Sequence, residues 1–205
     1  MPLQNRVTPY GAVVAVPERG LLMGNRGILH DASRRIVRLA QGRRWIACVL
    51  SFRGRRRAVM RPGSYTELFF LDEAVALAAG HRPCAECRRA DYDRFRAAWA
   101  RGRGVPAPSA DTMDRALHDD RLATPSIRRT FTAATAALPD GAFVELDGRA
   151  WLMLGNGMLA WSAGGYVERR ARPAGDVIVI TPRCTVDVLR AGYRPLVHPT
   201  AVDGG

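Results

Sequence analysis

Cys84 and Cys87 stand three positions apart, directly after a helix stop and a proline, in Ala79-Gly80-His81-Arg82-Pro83-Cys84-Ala85-Glu86-Cys87-Arg88. A Cys-x2-Cys turn lets two thiolates face one point, which is half of a tetrahedral zinc site. The expected cofactor is therefore zinc, and two further donors are needed. Cys48 lies in a run dense in β-formers and is the expected third ligand, with a small buried hydrophobe as its plain alternative. His30, His81 and Cys184 are the candidates for a fourth. His81 is close in sequence but approaches awkwardly, because the knuckle wraps its own thiolates. Cys184 opens the last helix and needs a long-range contact.

Other chemistries fit the residues less well. Pro-Cys-x2-Cys is also half of a zinc-deaminase signature, whose other half is His-x-Glu or Cys-x-Glu. Upstream, Glu67 is preceded two positions earlier by Tyr65, and His30 is followed by Asp31-Ala32, so neither completes it. His118-Asp119-Asp120 could hold a divalent ion as in a nuclease, but adjacent helical residues point in different directions and a solvated face is the better reading. There is no Gly-rich phosphate loop, no G-x-S-x-G and no H-E-x2-H.

The knuckle must be positioned by what precedes and follows it. Thr66–Leu71 reads as a strand. A short helix then starts at the N-cap Asp72, with Ala74, Leu77 and Ala78 on one face, and Gly80 supplies the left-handed residue at its end. Arg88–Ala100 reads as a helix with Tyr92, Phe95 and Trp99 along its buried side. Earlier in the chain, Ala12–Val16 and Arg43–Phe52 suit strands, Gly24-Asn25 suits a hairpin turn, and Ala58–Arg61 suits an extended piece. Later, Asp111–Leu122 reads as a helix and Thr124-Pro125 as the start of another. Strands follow at Phe143–Leu146, Ala150–Leu154, Met158–Trp161, Tyr166–Arg169 and Val177–Ile180, with Gly155-Asn156-Gly157 as a tight turn. Thr181-Pro182 opens a last helix that stops at Gly192. Trp151 and Trp161 flank that hairpin and read as packing residues rather than a ligand cage.

Two pairs of segments echo each other in the same order. Leu22–Leu29 resembles Leu152–Leu159, and Leu77–Pro83 resembles Leu189–Pro195, which suggests a degenerate repeat of one hairpin–helix unit. The Gly- and Pro-rich stretch 101–110 is the expected linker or loop. It divides a zinc-binding module at 1–100 from a helical hairpin and β-rich half at 111–205. The expected class is α+β, with small antiparallel sheets and short helices.

Composition points to the partner. Apolar residues are 47% and charged residues 24% of the chain, ordinary for a globular protein. No apolar run approaches the ~20 residues of a membrane helix, no signal peptide is visible, and four irregularly spaced cysteines suit reduced thiols. Cytoplasm is the expected compartment. All 31 basic residues are arginine, against 19 acids, for a formal charge of +12. GC-rich coding explains arginine in place of lysine but not the excess, which points to a polyanion, most often nucleic acid.

The paired Phe69-Phe70, the Glu73-Ala74 that opens an alanine-rich helix, and AGHRPC-x2-CR at 79–88 together resemble the zinc-binding module of the Ada family of DNA-alkylation repair proteins. The resemblance covers about residues 43–89 and is specific over Phe69–Arg88. It implies zinc, duplex DNA and a role in the DNA damage response. The family's first cysteine pair, C-x3-C, should fall near Arg53–Arg57, where this chain reads Arg53-Gly54-Arg55-Arg56-Arg57. One of those missing cysteines is the family's methyl-accepting nucleophile, so methyl transfer is not carried over. A basic loop stands in its place. Arg53, Arg55, Arg56 and Arg57, with Arg82 and Arg88, are the expected phosphate contacts, giving affinity with weak sequence preference. Two rivals remain: a zinc-stapled protein-interaction module, and a zinc-dependent hydrolase or deaminase with an open metal position.

Overall fold

The computed structural model describes residues 1–54, 58–124 and 127–202. It is an α+β protein. A first sheet holds β1 (Arg6–Val7), β2 (Val13–Val14), β3 (Leu22–Asn25), β4 (Ile46–Cys48), β5 (Leu68–Phe70) and, after helix α1 (Glu73–Ala78), β6 (Arg82–Pro83). Its order is β2-β1-β5-β3-β4-β6, with β1–β5 and β4–β6 parallel and the other pairs antiparallel. Helices α2 (Arg89–Arg103) and α3 (Ala110–Arg121) follow, then a small hairpin of β7 (Leu122–Thr124) and β8 (Ile127–Arg128). The second sheet is antiparallel throughout. It takes β9 (Phe131–Ala134), β10 (Phe143–Leu146), β11 (Arg149–Leu154), β12 (Gly157–Ser162), β13 (Gly165–Ala171) and β14 (Asp176–Val179) in the order β13-β12-β11-β10-β14-β9. Helix α4 (Arg183–Arg190) comes last.

The second sheet is covered on both faces, which is why its central strands are apolar without alternation. Period-two geometry sends Trp151, Met153, Met158 and Ala160 to one face, packed with Tyr92, Phe95 and Trp99 of α2, Met113 and Leu117 of α3, and Val188 and Leu189 of α4. Ala150, Leu152 and Leu159 face the other way, onto the all-buried α1 and strands of the first sheet. The aromatic stripe of α2 is thus core, as is Trp151. Both cores draw on residues from either side of 101–110. That stretch forms the last turn of α2 as far as Arg103, an extended loop, and the first residue of α3.

Helix α1 forms as its sequence predicts. Asp72 is the N-cap and accepts from the Val75 amide at 2.9 Å. It also accepts from the Tyr166 hydroxyl at 2.7 Å and the His198 amide at 2.9 Å. Glu73 is equally buried and binds the Tyr193 hydroxyl, the Leu196 amide and Arg88. The C-terminal segment is therefore fastened across the start of α1, the helix that leads into the cysteine knuckle.

Several expectations are corrected. Gly24-Asn25 is not a turn but lies within β3, and a Cβ on Gly24 would fall 2.1 Å from the Ile46 carbonyl oxygen. The glycine is there for close approach of β4. Thr124 ends β7, and the residues after 126 run as a strand rather than a helix; Pro125 lies outside the described residues. Ala58–Arg61 is a turn, with Met60 at φ 54°. Of the two sequence echoes, the Gly-Asn pairs differ, since Gly155-Asn156 is a true two-residue hairpin turn closed by Leu154 opposite Gly157. The helix ends do match. Gly80 (φ 89°) and Gly192 (φ 97°) each follow a helix, and in both cases the next amide reaches back five residues, from His81 to Ala76 and from Tyr193 to Val188.

Candidate metal centre

Cys48, Cys84 and Cys87 are brought together, their sulfurs all within 4.8 Å of one another. Each is placed by a separate device. Cys48 ends β4. Cys84 is held beside it because β6 pairs in parallel with β4: the Arg82 amide donates to the Trp45 carbonyl at 3.1 Å and the Cys84 amide to that of Ala47 at 2.9 Å. Pro83 sits between them on the edge strand, at the position whose missing N–H would face away from the ladder. Cys87 then arrives on the turn that opens α2, where the Arg88 amide bonds back to the Cys84 carbonyl at 3.1 Å.

The cluster favours one thiolate, on Cys84. The Cys48 thiol and the amides of Cys87 and Glu86 donate to the Cys84 sulfur, the last at 3.4 Å, and hold its pKa down at about 5 despite burial. Cys48, bonded to that thiolate and buried, is pushed far up, and Cys87 is raised by burial while the Val49 amide donates to it. Three soft donors share protons around one point that a cation would fill. Zinc at about 2.3 Å from each sulfur would set the sulfurs about 3.8 Å apart, so the trio needs only a small closure.

None of the expected fourth ligands joins them. His30 is occupied by the Thr66 hydroxyl at 2.6 Å and the Arg61 carbonyl at 3.3 Å. Cys184 is buried in the core within the first turn of α4, its amide bonded to Asp120 at 2.7 Å. That bond also shows Asp120 serving the start of α4; among the described residues the cysteine trio is the one cluster able to hold a metal. His81 is fully buried between Trp45 and Phe70, with ring centroids 5.2 and 4.7 Å away. In place of a fourth ligand the sulfurs face a cavity of about 630 Å³, walled by Met23, Ile46, Leu50, Phe52, Val59 and Phe69 and carrying the side chains of Glu67 and Glu86.

The arginine expectations divide. Arg82 and Arg88 are buried and paired, so they are corrected as phosphate contacts. Arg82 makes two 2.8 Å bonds to Asp114, and Arg88 reaches Glu73 at 2.9 Å and Asp91 at 2.6 Å. Arg53 is exposed, its guanidinium 4.9 Å from the Phe52 ring centroid. Arg55, Arg56 and Arg57 lie outside the described residues. Sequence reasoning missed a second basic stretch, residues 31–44, where Arg34, Arg38 and Arg43 are exposed and have no ion-pair partner among the described residues. The spacing of Arg34, Arg35, Arg38, Arg43 and Arg44 was the available signal.

It also missed three arginines, buried Arg26 and Arg121 and half-buried Arg128, that brace the knuckle from behind. Arg121 donates to the Gly80 carbonyl at 2.9 Å, and Arg128 to those of Ala79 at 3.1 Å and Ala78. They neutralise the negative end of α1, whose own last turn has no basic residue. Arg26 and Arg121 lie over the Trp45 ring at 4.4 and 3.9 Å. Gly80 is required twice, by its φ and because a Cβ would meet Arg121 Cδ at 2.7 Å.

Burial, then Arg26, Arg121 and Arg128, hold His81 neutral, with a pKa well below that of a free imidazole. The unfolded chain takes up a proton here that the folded chain refuses. The stability tied to His81 is thus complete above pH ~6.5 and is lost as pH falls, by about 1.4 kcal/mol per unit. His81→Phe is expected to flatten the fall in unfolding free energy between pH ~6.5 and ~5 relative to the unaltered protein. Equal slopes in denaturant titrations of the two would contradict this placement of the ring.

Compared with protein-family models, with curated proteins and with solved structures, the chain has no match. Among the described residues no helix is long and apolar enough to cross a membrane.

Proposed function

We propose that this is a zinc-containing DNA-binding protein, in which Cys48, Cys84 and Cys87 hold one Zn²⁺ and exposed arginines hold duplex phosphates. The observation that carries the reading is the convergence of three sulfurs, drawn from two parallel strands and a helix start, on one point. Zinc suits three thiolates and needs no redox partner. When bound it would fasten β4 to the start of α2 and supply a Lewis-acidic position facing the cavity. The likeness to the Ada zinc module supports a role in the DNA damage response without methyl transfer.

The DNA part rests on the charge of +12 and on where arginine stands free of acid partners. Arg38, Arg43 and Arg129 surround a shallow cavity of about 900 Å³ with His118 and Asp119, and Arg53 is exposed elsewhere on the chain. Such contacts give affinity that is insensitive to sequence and steep in salt. One observation favours a second reading, a zinc hydrolase or deaminase. The metal position has three protein donors and opens on a cavity that also carries carboxylates.

Salt titration of duplex binding tests the DNA reading. Changing Arg53, Arg55, Arg56 and Arg57 together to alanine is expected to flatten the slope of log affinity against log salt by about 3 to 4, equally for all sequences. A companion variant at Arg34, Arg38 and Arg43 should flatten it by about 2 to 3. Unchanged slopes in both would place the contact elsewhere. Binding to a partner protein that is indifferent to salt, with no duplex binding at low salt, would favour the interaction module.

A further inference from the structure

We propose that the cavity in front of the three sulfurs is a binding site for a small thiol with an apolar body, whose sulfur completes the donor set; this rests on the zinc reading above. The chain brings three soft donors to one point, and none of His30, His81 and Cys184 supplies the fourth. A tetrahedral ion held by three protein ligands leaves its fourth position to an exogenous group. Here the three cysteines line about 630 Å³ of space, within the range of small-molecule sites.

The walls decide what enters. Met23, Ile46, Leu50, Phe52, Val59 and Phe69 favour an apolar body. Leu50, Val59 and Phe69 also line an adjoining trough of about 560 Å³ with Pro2, Leu3 and Pro17, and with Asn5, Arg6 and Arg19, so a longer chain has somewhere to go. A sulfur donor suits a site already made of three thiolates. Beyond its donor sulfur the ligand should carry no negative group, because Glu67 and Glu86 share the cavity with the cysteines. A thiol meets both conditions. It arrives as R–SH; its S–H bond breaks as the sulfur–metal bond forms, and the proton leaves to solvent. Nothing is oxidised or reduced.

Cobalt(II) in place of zinc makes the donor set visible. The protein loaded with Co²⁺ would be titrated with phenylmethanethiol, 2-sulfanylethanol and benzyl alcohol while the thiolate-to-cobalt charge-transfer absorption is followed. Phenylmethanethiol is expected to raise that absorption by about a third, as four sulfurs replace three. It should bind at least about tenfold more tightly than 2-sulfanylethanol, and benzyl alcohol should do nothing. Leu50→Arg, at a rim residue that is 54% exposed, should weaken the aromatic thiol about tenfold. A three-thiolate spectrum that no thiol alters, that both thiols alter equally, or that collapses as cobalt is stripped away would overturn the proposal. No charge-transfer band on adding cobalt would overturn the zinc reading and this one together.

Discussion

Cys84→Ser is expected to abolish metal binding and to lower the thermal midpoint by on the order of 10 °C. Cys84 is the sulfur to which the Cys48 thiol and two backbone amides point, so its loss removes the anion around which the trio is arranged. A structural zinc on thiolates contributes its binding free energy to folding, about 10 kcal/mol or more in small modules. Here the loss is smaller. The two hydrophobic cores contain none of the three cysteines and should persist without the metal. What loosens is local: the two-residue β6, the turn at 84–88 and the first turn of α2. Calorimetry with and without a chelator checks this. A variant that keeps its metal, or melts with the unaltered protein, would contradict the account.

Asp114→Ala is expected to cost about 3 to 5 kcal/mol in equilibrium unfolding, more than any exposed charge change. Asp114 is 4% exposed and its two oxygens take both bonds of Arg82, itself 2% exposed. Removing the carboxylate leaves a buried guanidinium with only the Pro83 carbonyl. The double variant Arg82→Met with Asp114→Leu should recover most of that loss, because two apolar groups replace a pair that was costly to desolvate. If the single and double variants lose equal stability, the bridge is not what fixes α3 against β6.

The parts of this fold readable in the sequence were those set by local chemistry. Asp72 had to cap a helix and Gly80 had to end it, and both do so. The same holds for the two-residue turn at Gly155-Asn156 and for the packed side of α2. The parts that were not readable depend on partners far along the chain. Gly24 looks like a turn residue until β4 approaches it. Arg82 and Arg88 look like surface bases until Asp114, 32 residues on, and Glu73 bury against them. Likewise nothing near Ala78-Ala79-Gly80 announces that Arg121 and Arg128 will satisfy those carbonyls. At the metal centre the Cys84–Cys87 knuckle and the choice of Cys48 were legible from spacing and β-propensity. That no fourth side chain joins the three sulfurs was not, because it follows from where His30, His81 and Cys184 are held by other groups.

The most direct test of the account is zinc per chain in protein purified without chelator, for the unaltered sequence and for single variants. About one zinc per chain is expected. Cys48→Ala, Cys84→Ala and Cys87→Ala should each lose it, while Cys184→Ala and His30→Asn keep it in full. No zinc in the unaltered protein, or zinc that survives loss of Cys48 and departs with Cys184, would contradict the three-cysteine centre.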